Sequence, residues 1–319
     1  MTRRKGWVAC ALLCALGCGD DDVGAELEDP RDDAGADAAA QPNEAPSGEF
    51  LALTYNVAGL PMGLSSSMPE LFTPMIGPLL NDYDVVLVQE SWLTPDPNPG
   101  DPLRVYHELL VEVSEHPYKS VPAEVPWGTD SDRPDALLGD GLNMFSDFPF
   151  GETTRVRWPT CVETASDCLA LKGFSATRME LADGVSVDVY NLHMEAGGSP
   201  EDDAARDAGI DLLVDFIADF SNGTAVIVGG DFNLHTDGEP AATQFARLLE
   251  EAGLQDACTV HECDRPGSID KFLFRSSDAL ELSAESFSFE TDVFVSDAGE
   301  PLSDHDPLAV RFAWSATAD

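Results

Sequence analysis

The most informative stretch of the chain reads Val226-Ile227-Val228-Gly229-Gly230-Asp231-Phe232-Asn233. Its apolar, β-branched beginning predicts a buried strand, and the two glycines mark the end of that strand. Side chains alternate along an extended chain, so Asp231 and Asn233 should point to the same side. One carboxylate and one amide can then reach the same metal ion, water or phosphate oxygen. A plain turn with a capping aspartate explains this stretch equally well when it is taken alone.

Four further segments also consist of an apolar run that ends in polar side chains. These polar residues are Asn56, Gln89 and Glu90, Asn191 and His193, and Asp304 and His305. Each is ordinary by itself, because a polar residue at the end of a strand is usually solvated. Their repetition along one chain indicates that the strand ends meet at a shared site.

The remaining pattern predicts an α/β domain in which strands outnumber helices. Strands are expected at residues 50–57, 84–90, 142–146, 174–181, 185–194, 225–231, 271–275, 286–289 and 308–314. Helices are expected at residues 69–81, 103–115, 202–220 and 240–252. The third helix has apolar residues at helical spacing, so one face should pack on a sheet. This balance favours two sheets packed face to face, with helices on the outside.

The first segment of the chain, residues 1–18, has the features of an export signal. A basic start at residues 3–5 precedes an apolar run that is too short to span a bilayer. The run ends in Ala15-Leu16-Gly17-Cys18, which resembles a bacterial lipobox, in which the cysteine is lipidated. We expect an exported protein that is either anchored to the bacterial cell envelope or outer membrane through Cys18, or secreted.

An acidic linker is predicted between the export signal and the folded domain. Residues 19–48 are rich in Asp, Glu, Ala, Pro and Gly, with hardly an aromatic residue. Such a segment cannot bury enough apolar surface to offset its ordering entropy, so it should be disordered. Residues 49–319 contain no second linker and no internal repeat, and we expect them to form one catalytic domain.

The charge balance of the chain bears on its partners. Lys and Arg total 17 against 59 acidic residues, and the formal net charge is −42. A nucleic-acid binder normally has a basic stripe that replaces phosphate counterions, and the sequence has none. A lipid head group or a small phosphodiester is therefore favoured over nucleic acid, although a nuclease with a local basic patch stays open. The same acidity suits a site that collects divalent cations.

The cysteines beyond the export signal fall into two close pairs. They are Cys161 and Cys168, and Cys258 and Cys263. In an exported chain this arrangement predicts two disulfides that close short loops. A zinc site is the alternative, and it is less favoured because the spacings are not the tight pairs of a zinc ribbon or finger.

The five strand ends, in this order, resemble those of the endonuclease/exonuclease/phosphatase family of metal-dependent phosphoesterases. The matching residues are Thr54-Tyr55-Asn56, Gln89-Glu90, Asn191-Leu192-His193, Gly230-Asp231-Phe232-Asn233 and Ser303-Asp304-His305. The resemblance covers nearly all of residues 50–314. It implies a four-layer α/β sandwich, in which two packed, mostly antiparallel sheets are flanked by helices and the site lies at one edge.

The resemblance also implies a role for each site residue. The metal ligands would be Asn56, Glu90 and Asp304, holding Mg²⁺, with Mn²⁺ or Ca²⁺ as alternatives. Hard oxygen donors of this kind suit Mg²⁺. The catalytic residues would be Asp231 and His305, which act on the attacking water, and His193, which contacts a phosphoryl oxygen or assists the leaving group. The substrate-binding residues would be Asn233, Asn191, Lys172 and Asn143.

Two segments bear on the substrate within this family. Leu171-Lys172-Gly173-Phe174 resembles the Lys-Gly segment of sphingomyelinase-like members, although a surface lysine beside a turn glycine is an equally good interpretation. In residues 141–149, Asp147 stands where the family usually has a basic residue, which counts against tight binding of a phosphate backbone. Asn143 is the candidate for a polar partner that some nuclease members carry in this region.

The sequence thus predicts an exported Mg²⁺-dependent phosphodiesterase that most resembles sphingomyelinases. The alternatives are a secreted deoxyribonuclease-like endonuclease and an inositol-phosphate-type phosphatase. A surface-tethered binding module without activity is the non-enzymatic alternative, and the intact set of Glu90, His193, Asp231 and His305 argues against it.

Overall fold

The computed structural model describes residues 45–60, 67–93, 106–124, 128–162 and 167–317. The predicted export signal and the predicted linker up to residue 44 lie outside these residues. In the described part of the chain, no helix has the length and apolar character needed to cross a membrane.

The described residues form strands and helices that mostly follow the predicted order. The strands are β1 (Ser47–Asn56), β2 (Val85–Gln89), β3 (Tyr118–Lys119), β4 (Asn143–Ser146), β5 (Thr154–Arg157), β6 (Gly173–Ala182), β7 (Val185–His193), β8 (Val226–Asp231), β9 (Gln255–Asp256), β10 (Asp270–Arg275), β11 (Leu280–Phe289) and β12 (Leu308–Ala316). The helices are α1 (Pro69–Leu79), α2 (Tyr106–Val113), α3 (Pro200–Phe220), α4 (Ala241–Ala252) and α5 (Ala257–Val260).

The strands of the described chain build two sheets of six strands each, in the orders β11-β12-β1-β2-β4-β3 and β5-β6-β7-β8-β10-β9. Most neighbours run antiparallel, as predicted. One pair in each sheet is parallel, β1 with β2 and β7 with β8. Parallel strands end at the same edge of a sheet, so these two pairs each bring two strand ends together.

The core consists of three apolar layers that follow from the alternation of side chains along the strands. Between the sheets, Phe50 and Leu87 pack with Phe272 and Phe312. On the outer face of the first sheet, residues of β1 and β2 contact α1 and α2 through a cluster that includes Leu53, Val86, Val88, Phe72, Ile76 and Leu110. On the outer face of the second sheet, α3 and α4 contribute Ile210, Leu213, Ile217, Phe245 and Leu248. The predicted four-layer sandwich is therefore confirmed.

Differences from the predicted elements occur where the sequence signal is short or interrupted. The strands β3, β5 and β9 and the one-turn helix α5 were not predicted, because two to four residues carry too little periodicity. Strand β11 begins at Leu280, six residues before its predicted start at residue 286. Its register shifts between Ala284 and Ser286, and this irregularity breaks the alternation that would have revealed the longer strand.

Both predicted disulfides are present, Cys161–Cys168 and Cys258–Cys263, with Cα atoms 5.3 and 5.0 Å apart. The zinc alternative is therefore wrong, because all of these sulfurs are used in covalent bonds. The second disulfide joins α5 to the loop that follows it. The first lies next to Asp167, which contacts the candidate site described below.

Removing the second disulfide should destabilise the protein without unfolding it. A loop this short restricts the unfolded chain by about 2 kcal/mol. We expect the double substitution Cys258→Ser and Cys263→Ser to lower Tm by several degrees while the circular dichroism spectrum stays unchanged. Peptide mass mapping of the wild-type chain is the check on the pairing, and free thiols at all of these cysteines would contradict it.

Candidate active site

Polar side chains from both sheets meet at the edge where the parallel strands end. Asn56 and Gln89 are opposite each other at the ends of β1 and β2. His193 and Asp231 are opposite each other at the ends of β7 and β8. Because the sheets pack face to face, these ends form one cluster, and the prediction that the strand ends converge is confirmed.

The side chain at the centre of this cluster is Asp231, which is 1% exposed. Its Oδ2 lies 3.2 Å from Asn56 Nδ2, 3.3 Å from His193 Nε2 and 3.7 Å from His305 Nε2. Its Oδ1 accepts a hydrogen bond from the backbone N–H of Asn233, at 3.0 Å. Burial raises the pKa of Asp231 to about 6, against the opposing charge of His305. One carboxylate therefore faces two imidazoles and an amide, and it can hold or accept a proton near neutral pH.

His305 is oriented by Asp270, a residue that the sequence analysis missed. Asp270 is buried at the start of β10, and its Oδ2 lies 2.9 Å from His305 Nδ1. This contact leaves Nε2 of His305 facing Asp231 and Asn56. Burial lowers the pKa of His305, but the hydrogen bond and charge of Asp270, with the charges of Asp231 and Asp304, outweigh burial and raise the pKa to about 10. At neutral pH the ring is therefore protonated, and Asp270 holds and orients an imidazolium.

Asp270 escaped the sequence analysis because it begins its strand. The polar residues that the sequence pattern marks lie at the carboxyl ends of strands, whereas Asp270 lies at an amino end. Strand β10 runs antiparallel to β8, and Asp270 lies opposite Asp231 in the register. An antiparallel neighbour contributes its first residue to the same edge, so the Ser268-Ile269-Asp270 segment before the apolar residues of β10 was the signal to look for.

The second imidazole, His193, is 2% exposed. Burial lowers its pKa well below its ordinary value, and the positive charges of Lys172 and His305 act in the same direction. A neutral ring at pH 7 can donate from Nε2 to Asp231 Oδ2. The backbone carbonyl of His193 accepts from Trp158 Nε1 at 2.7 Å, which fixes the end of β7. His193 is thus suited to donate a hydrogen bond to a phosphoryl or leaving oxygen.

Asn56 and Glu90 are adjacent, with Asn56 Nδ2 donating to Glu90 Oε1 at 3.2 Å. The Asn56 Oδ1 accepts from the backbone N–H of Ala58 at 3.0 Å, so the amide nitrogen is the atom that faces the site. A metal ion would need the second lone pair of that oxygen, because an amide nitrogen does not bind Mg²⁺. Burial raises the pKa of Glu90, and the charge of Lys172 opposes this.

Lys172 lies at the margin of this cluster and is largely buried. Its Nζ pairs with Asp167 Oδ1 at 2.6 Å and lies 3.5 Å from the carbonyl of Met194. Its charge acts on Glu90 and Asp231. The alternative interpretation, a lysine on the open surface, is wrong, because the side chain is only 9% exposed. Asp167 was another residue that the sequence analysis did not single out.

Two predicted residues lie at the rim of the site. Asn233 is half-buried, and its Nδ2 donates to the carbonyl of Met194 at 3.1 Å. Asp304 is exposed, and its Oδ1 is 3.4 Å from Ser303 Oγ. That hydroxyl also donates to the backbone carbonyl of Asn56, at 2.7 Å. The roles of Asn233 in phosphate binding and of Asp304 in metal binding stay predictions.

Two other predicted residues, Asn191 and Asn143, lie beneath the site and join the sheets. Asn191 Oδ1 accepts from Gln89 Nε2 at 2.7 Å, and Asn191 Nδ2 donates to the carbonyls of Val88 and Asn143 at 2.9 and 3.1 Å. Asn143 Nδ2 donates to the carbonyl of Ser91 at 3.0 Å. Each is 2% exposed. These contacts indicate a structural role, and their predicted contact with substrate stays a prediction.

The cluster has a donor set that fits a hard divalent cation. Ligand atoms of Asp231, Asp270 and His305 all lie within 4.8 Å of one another. The Oδ1 of Asp270 is buried and has no hydrogen-bond partner among the described residues. Burial raises the pKa values of Glu90, Asp231 and Asp270, so a cation beside them would stabilise their ionised forms. Carboxylate and amide oxygens are the ligands that Mg²⁺ prefers.

Known proteins share both this sequence pattern and this architecture. The sequence model of the Endonuclease/Exonuclease/phosphatase family matches residues 53–305, a span that includes Asn56, Glu90, His193, Asp231 and His305. The chain belongs to this family. Membership of the endonuclease/exonuclease/phosphatase family agrees with the two six-stranded sheets of the described residues.

Curated relatives have a higher sequence identity to this chain than the solved structures described below. A protein named sphingomyelinase from Mycobacterium tuberculosis (strain ATCC 25618 / H37Rv) is 36% identical over 299 residues, which cover 86% of this chain and 55% of that protein. The chain thus spans about half the length of the curated relatives it matches. The identity supports a sphingomyelinase-like member of the family.

Two solved structures share the fold at low identity. A mutant beta toxin from Staphylococcus aureus with bound magnesium ions has a TM-score of 0.58 and 19% identity, covering 84% of this chain and 100% of that one. D. rerio TDP2 complexed with a single-strand DNA product has a TM-score of 0.60 and 15% identity, covering 83% and 98%. The fold alone therefore does not discriminate between their ligands.

Replacing Asn191 should reveal whether it supports the fold or contacts substrate. The substitution Asn191→Ala removes hydrogen bonds to both neighbouring strands of the first sheet and leaves Gln89 Nε2 with fewer acceptors. We expect the free energy of unfolding to fall by about 2–4 kcal/mol, measured by urea denaturation. An unchanged free energy of unfolding together with a raised KM would instead support the predicted substrate contact.

A further buried carboxylate, that of Glu195, follows the end of β7 and was also missed. Its Oε1 accepts from the backbone N–H of Val162 at 2.5 Å, inside the loop that the Cys161–Cys168 disulfide closes. Burial, and then the charge of Asp167, raises the pKa of Glu195 to about 7. Its carboxylate thus links the disulfide loop to the segment that carries His193.

The raised pKa of Glu195 predicts a specific dependence of stability on pH. The unfolded chain ionises near the ordinary value and the folded chain near pH 7, so stability should fall as pH rises between about 4.5 and 7. Glu195→Gln keeps an acceptor for Val162 and should remove this contribution, about 1–2 kcal/mol after allowance for solvent screening. The measurement is the difference in unfolding free energy between variant and wild type at pH 5 and pH 8. An equal difference at both values would contradict it.

Proposed function

We propose that the protein is an exported, Mg²⁺-dependent phosphodiesterase of the sphingomyelinase type, which cleaves the head group of a phospholipid. The observation that carries the proposal is the convergence of Asn56, His193 and His305 on one oxygen of buried Asp231. The identity to proteins named sphingomyelinase supports the lipid substrate. The low Lys and Arg content, 17 against 59 acidic residues, supports it over a long nucleic acid.

The attacking water would be positioned by Asp231 with His305. Both groups face the same small space, and Asp270 holds the His305 ring so that Nε2 points there. Hydrolysis of a phosphodiester needs one proton removed from water as it attacks phosphorus. With a pKa of about 10, His305 already carries a proton at neutral pH, so Asp231, whose pKa is about 6, is the group that would take up the proton from water. The positive charge of His305 favours the ionised form of Asp231 that this step needs.

A phosphoryl oxygen or the leaving oxygen would be contacted by His193 and Asn233. His193 is neutral at pH 7, so its Nε2–H can hydrogen-bond a phosphoryl oxygen or the leaving oxygen. Asn233 is held by the backbone N–H contact to Asp231 and presents its amide at the rim. Lys172, paired with Asp167, would supply a buried positive charge for a phosphoryl oxygen.

The cation would be held mainly by Glu90. Asn56 can join through its amide oxygen, and exposed Asp304 can support a second position at the rim. When bound, Mg²⁺ would neutralise charge that develops on the phosphoryl oxygens. The predicted export signal, with lipid attachment at Cys18, would place the enzyme in or beyond the cell envelope.

The test is release of phosphocholine from sphingomyelin vesicles by the wild-type chain and by Asp231→Asn. We expect release in Mg²⁺ and none in EDTA. The variant should lose about 10³-fold or more in kcat, because a carboxamide cannot take a proton from water. Circular dichroism and Tm should show that the variant is folded. An Asp219→Asn variant, changed at an exposed position of α3, serves as the matched control.

Each outcome separates one part of the proposal from the others. Persistent activity in Asp231→Asn would contradict the site. Activity that persists in EDTA would contradict the metal requirement. Absence of release from vesicles, with Mg²⁺-dependent nicking of plasmid DNA, would replace the lipid substrate with nucleic acid.

A further inference from the structure

Glu90 has an unusual backbone conformation for a residue proposed to hold a metal ion. Its φ is 53°, in the left-handed region that glycine and asparagine adopt more readily than glutamate. Such a conformation costs free energy and persists only where the surroundings impose it. The residues that impose it therefore determine where the Glu90 carboxylate points.

One constraint comes from Gly59, in the loop after β1. A Cβ atom at Gly59 would lie 2.2 Å from the carbonyl oxygen of Glu90, so any larger residue would displace that carbonyl. The loop after β1 thus approaches the Glu90 peptide closely from one side.

A second constraint comes from Ser91, the next residue, which is 2% exposed. Its backbone N–H donates to the carbonyl of Gly141 at 2.9 Å, and its carbonyl accepts from Asn143 Nδ2 at 3.0 Å. Its hydroxyl shares a hydrogen bond of 2.9 Å with Nδ1 of His107. Every polar group of Ser91 is therefore bound, and only the last of these partners is a side chain from a helix.

His107 reaches Ser91 from the first turn of α2, and it is 4% exposed. Burial, and then the charge of Arg155, lowers its pKa to about 4, so the ring is neutral at pH 7. The mechanism proposed above does not use this buried histidine. Its contact with Ser91 connects the helix layer to the peptide that follows Glu90.

We propose that His107 is a positioning residue that, through Ser91 Oγ, holds the Glu90 carboxylate in the orientation that binds the divalent cation. This inference rests on the proposed function, because it needs a cation at Glu90. Loss of the hydrogen bond between His107 and Ser91 frees the Ser91 side chain. The backbone of Glu90, with its positive φ, then has one neighbouring contact fewer to hold it in that conformation. The cation should then bind more weakly, while the rest of the cluster around Asp231 keeps its hydrogen bonds.

The chain offers a closely matched control in His116. That histidine is also buried, at 2% exposed, and its Nδ1 lies 3.1 Å from the hydroxyl of Ser114. It packs against the ring of Phe145, as His107 does. Its Nε2 contacts the carbonyl of Tyr83 at 2.8 Å. These contacts support the fold but do not involve Ser91 or Glu90. A purely structural role for His107 would make the two histidines equivalent.

The experiment is calorimetric titration of Mg²⁺ into the full chain, with Tm measured in parallel. We expect His107→Phe to raise the Kd for Mg²⁺ about ten-fold, a typical effect of losing an outer partner of a metal ligand. His107→Asn should recover most of the affinity, because its amide takes the place of the ring Nδ1. His116→Phe should leave Kd within about two-fold of wild type even if it lowers Tm.

A second variant keeps the test decisive if His107→Phe does not fold. Ser91→Ala removes the same hydrogen bond from the other partner and should raise Kd to a similar extent. The double variant with His107→Asn should then bind no more weakly than Ser91→Ala alone. Unchanged Kd in both Ser91→Ala and folded His107→Phe would overturn the inference. If the wild type itself bound no Mg²⁺, the metal part of the proposed function would fail first.

Discussion

The site depends on one buried hydrogen bond between the two sheets, from Gln89 Nε2 to Asn191 Oδ1 at 2.7 Å. Gln89 is the last residue of β2, and Asn191 lies two residues before the end of β7. The bond between them therefore fixes how far one sheet is shifted along the other, and so where the ends of the parallel strands lie relative to each other. Asn191 adds bonds to the carbonyls of Val88 and Asn143, which leaves little freedom for the sheets to slide. An unpaired amide in this position would be costly, so the packing of the sheets and their polar contacts favour the same register.

In the cluster above this bond, several carboxylates are buried beside only a few positively charged side chains. Asp231 and Asp270 lie close to each other, and His305 and Lys172 supply the nearby positive charge. Burial raises the pKa values of both carboxyl groups because the ionised forms lose water. Without a cation, the site therefore holds an excess of buried acidic groups, and a bound cation would stabilise their ionised forms. In a chain of net charge −42, this imbalance is local and buried, whereas the surface charge is solvated.

Much of the fold and part of the site could be predicted, because long periodic segments carry strong signals. The strand ending at Asp231 and the amphipathic helix α3 are examples, and Asn56, Glu90, His193, Asp231 and His305 do come together. Asp270, Glu195 and Asp167 were missed, since their importance lies in contacts with residues distant in sequence. Asn191 and Asn143 were found, but the structure directs the amide of Asn191 to the first sheet and the Nδ2 of Asn143 to the carbonyl of Ser91. Lys172 was found as well, and its pairing with Asp167 depends on the course of the disulfide loop.

The sequence by itself determined the class of fold, the cysteine pairs and the identity of most polar residues at the strand ends. These features depend on the alternation of apolar and polar residues, on the short spacings between cysteines and on residue type, and all of these can be read directly from the sequence. Only the tertiary structure decided which nitrogen or oxygen faces the site, which carboxylate orients His305, and how Glu90 is held. Each of those depends on antiparallel neighbours such as β10, or on helix side chains such as His107, that arrive from far along the chain. Burial and neighbouring charges then shift the pKa values of the site residues, because both are properties of the packed molecule and not of the residue.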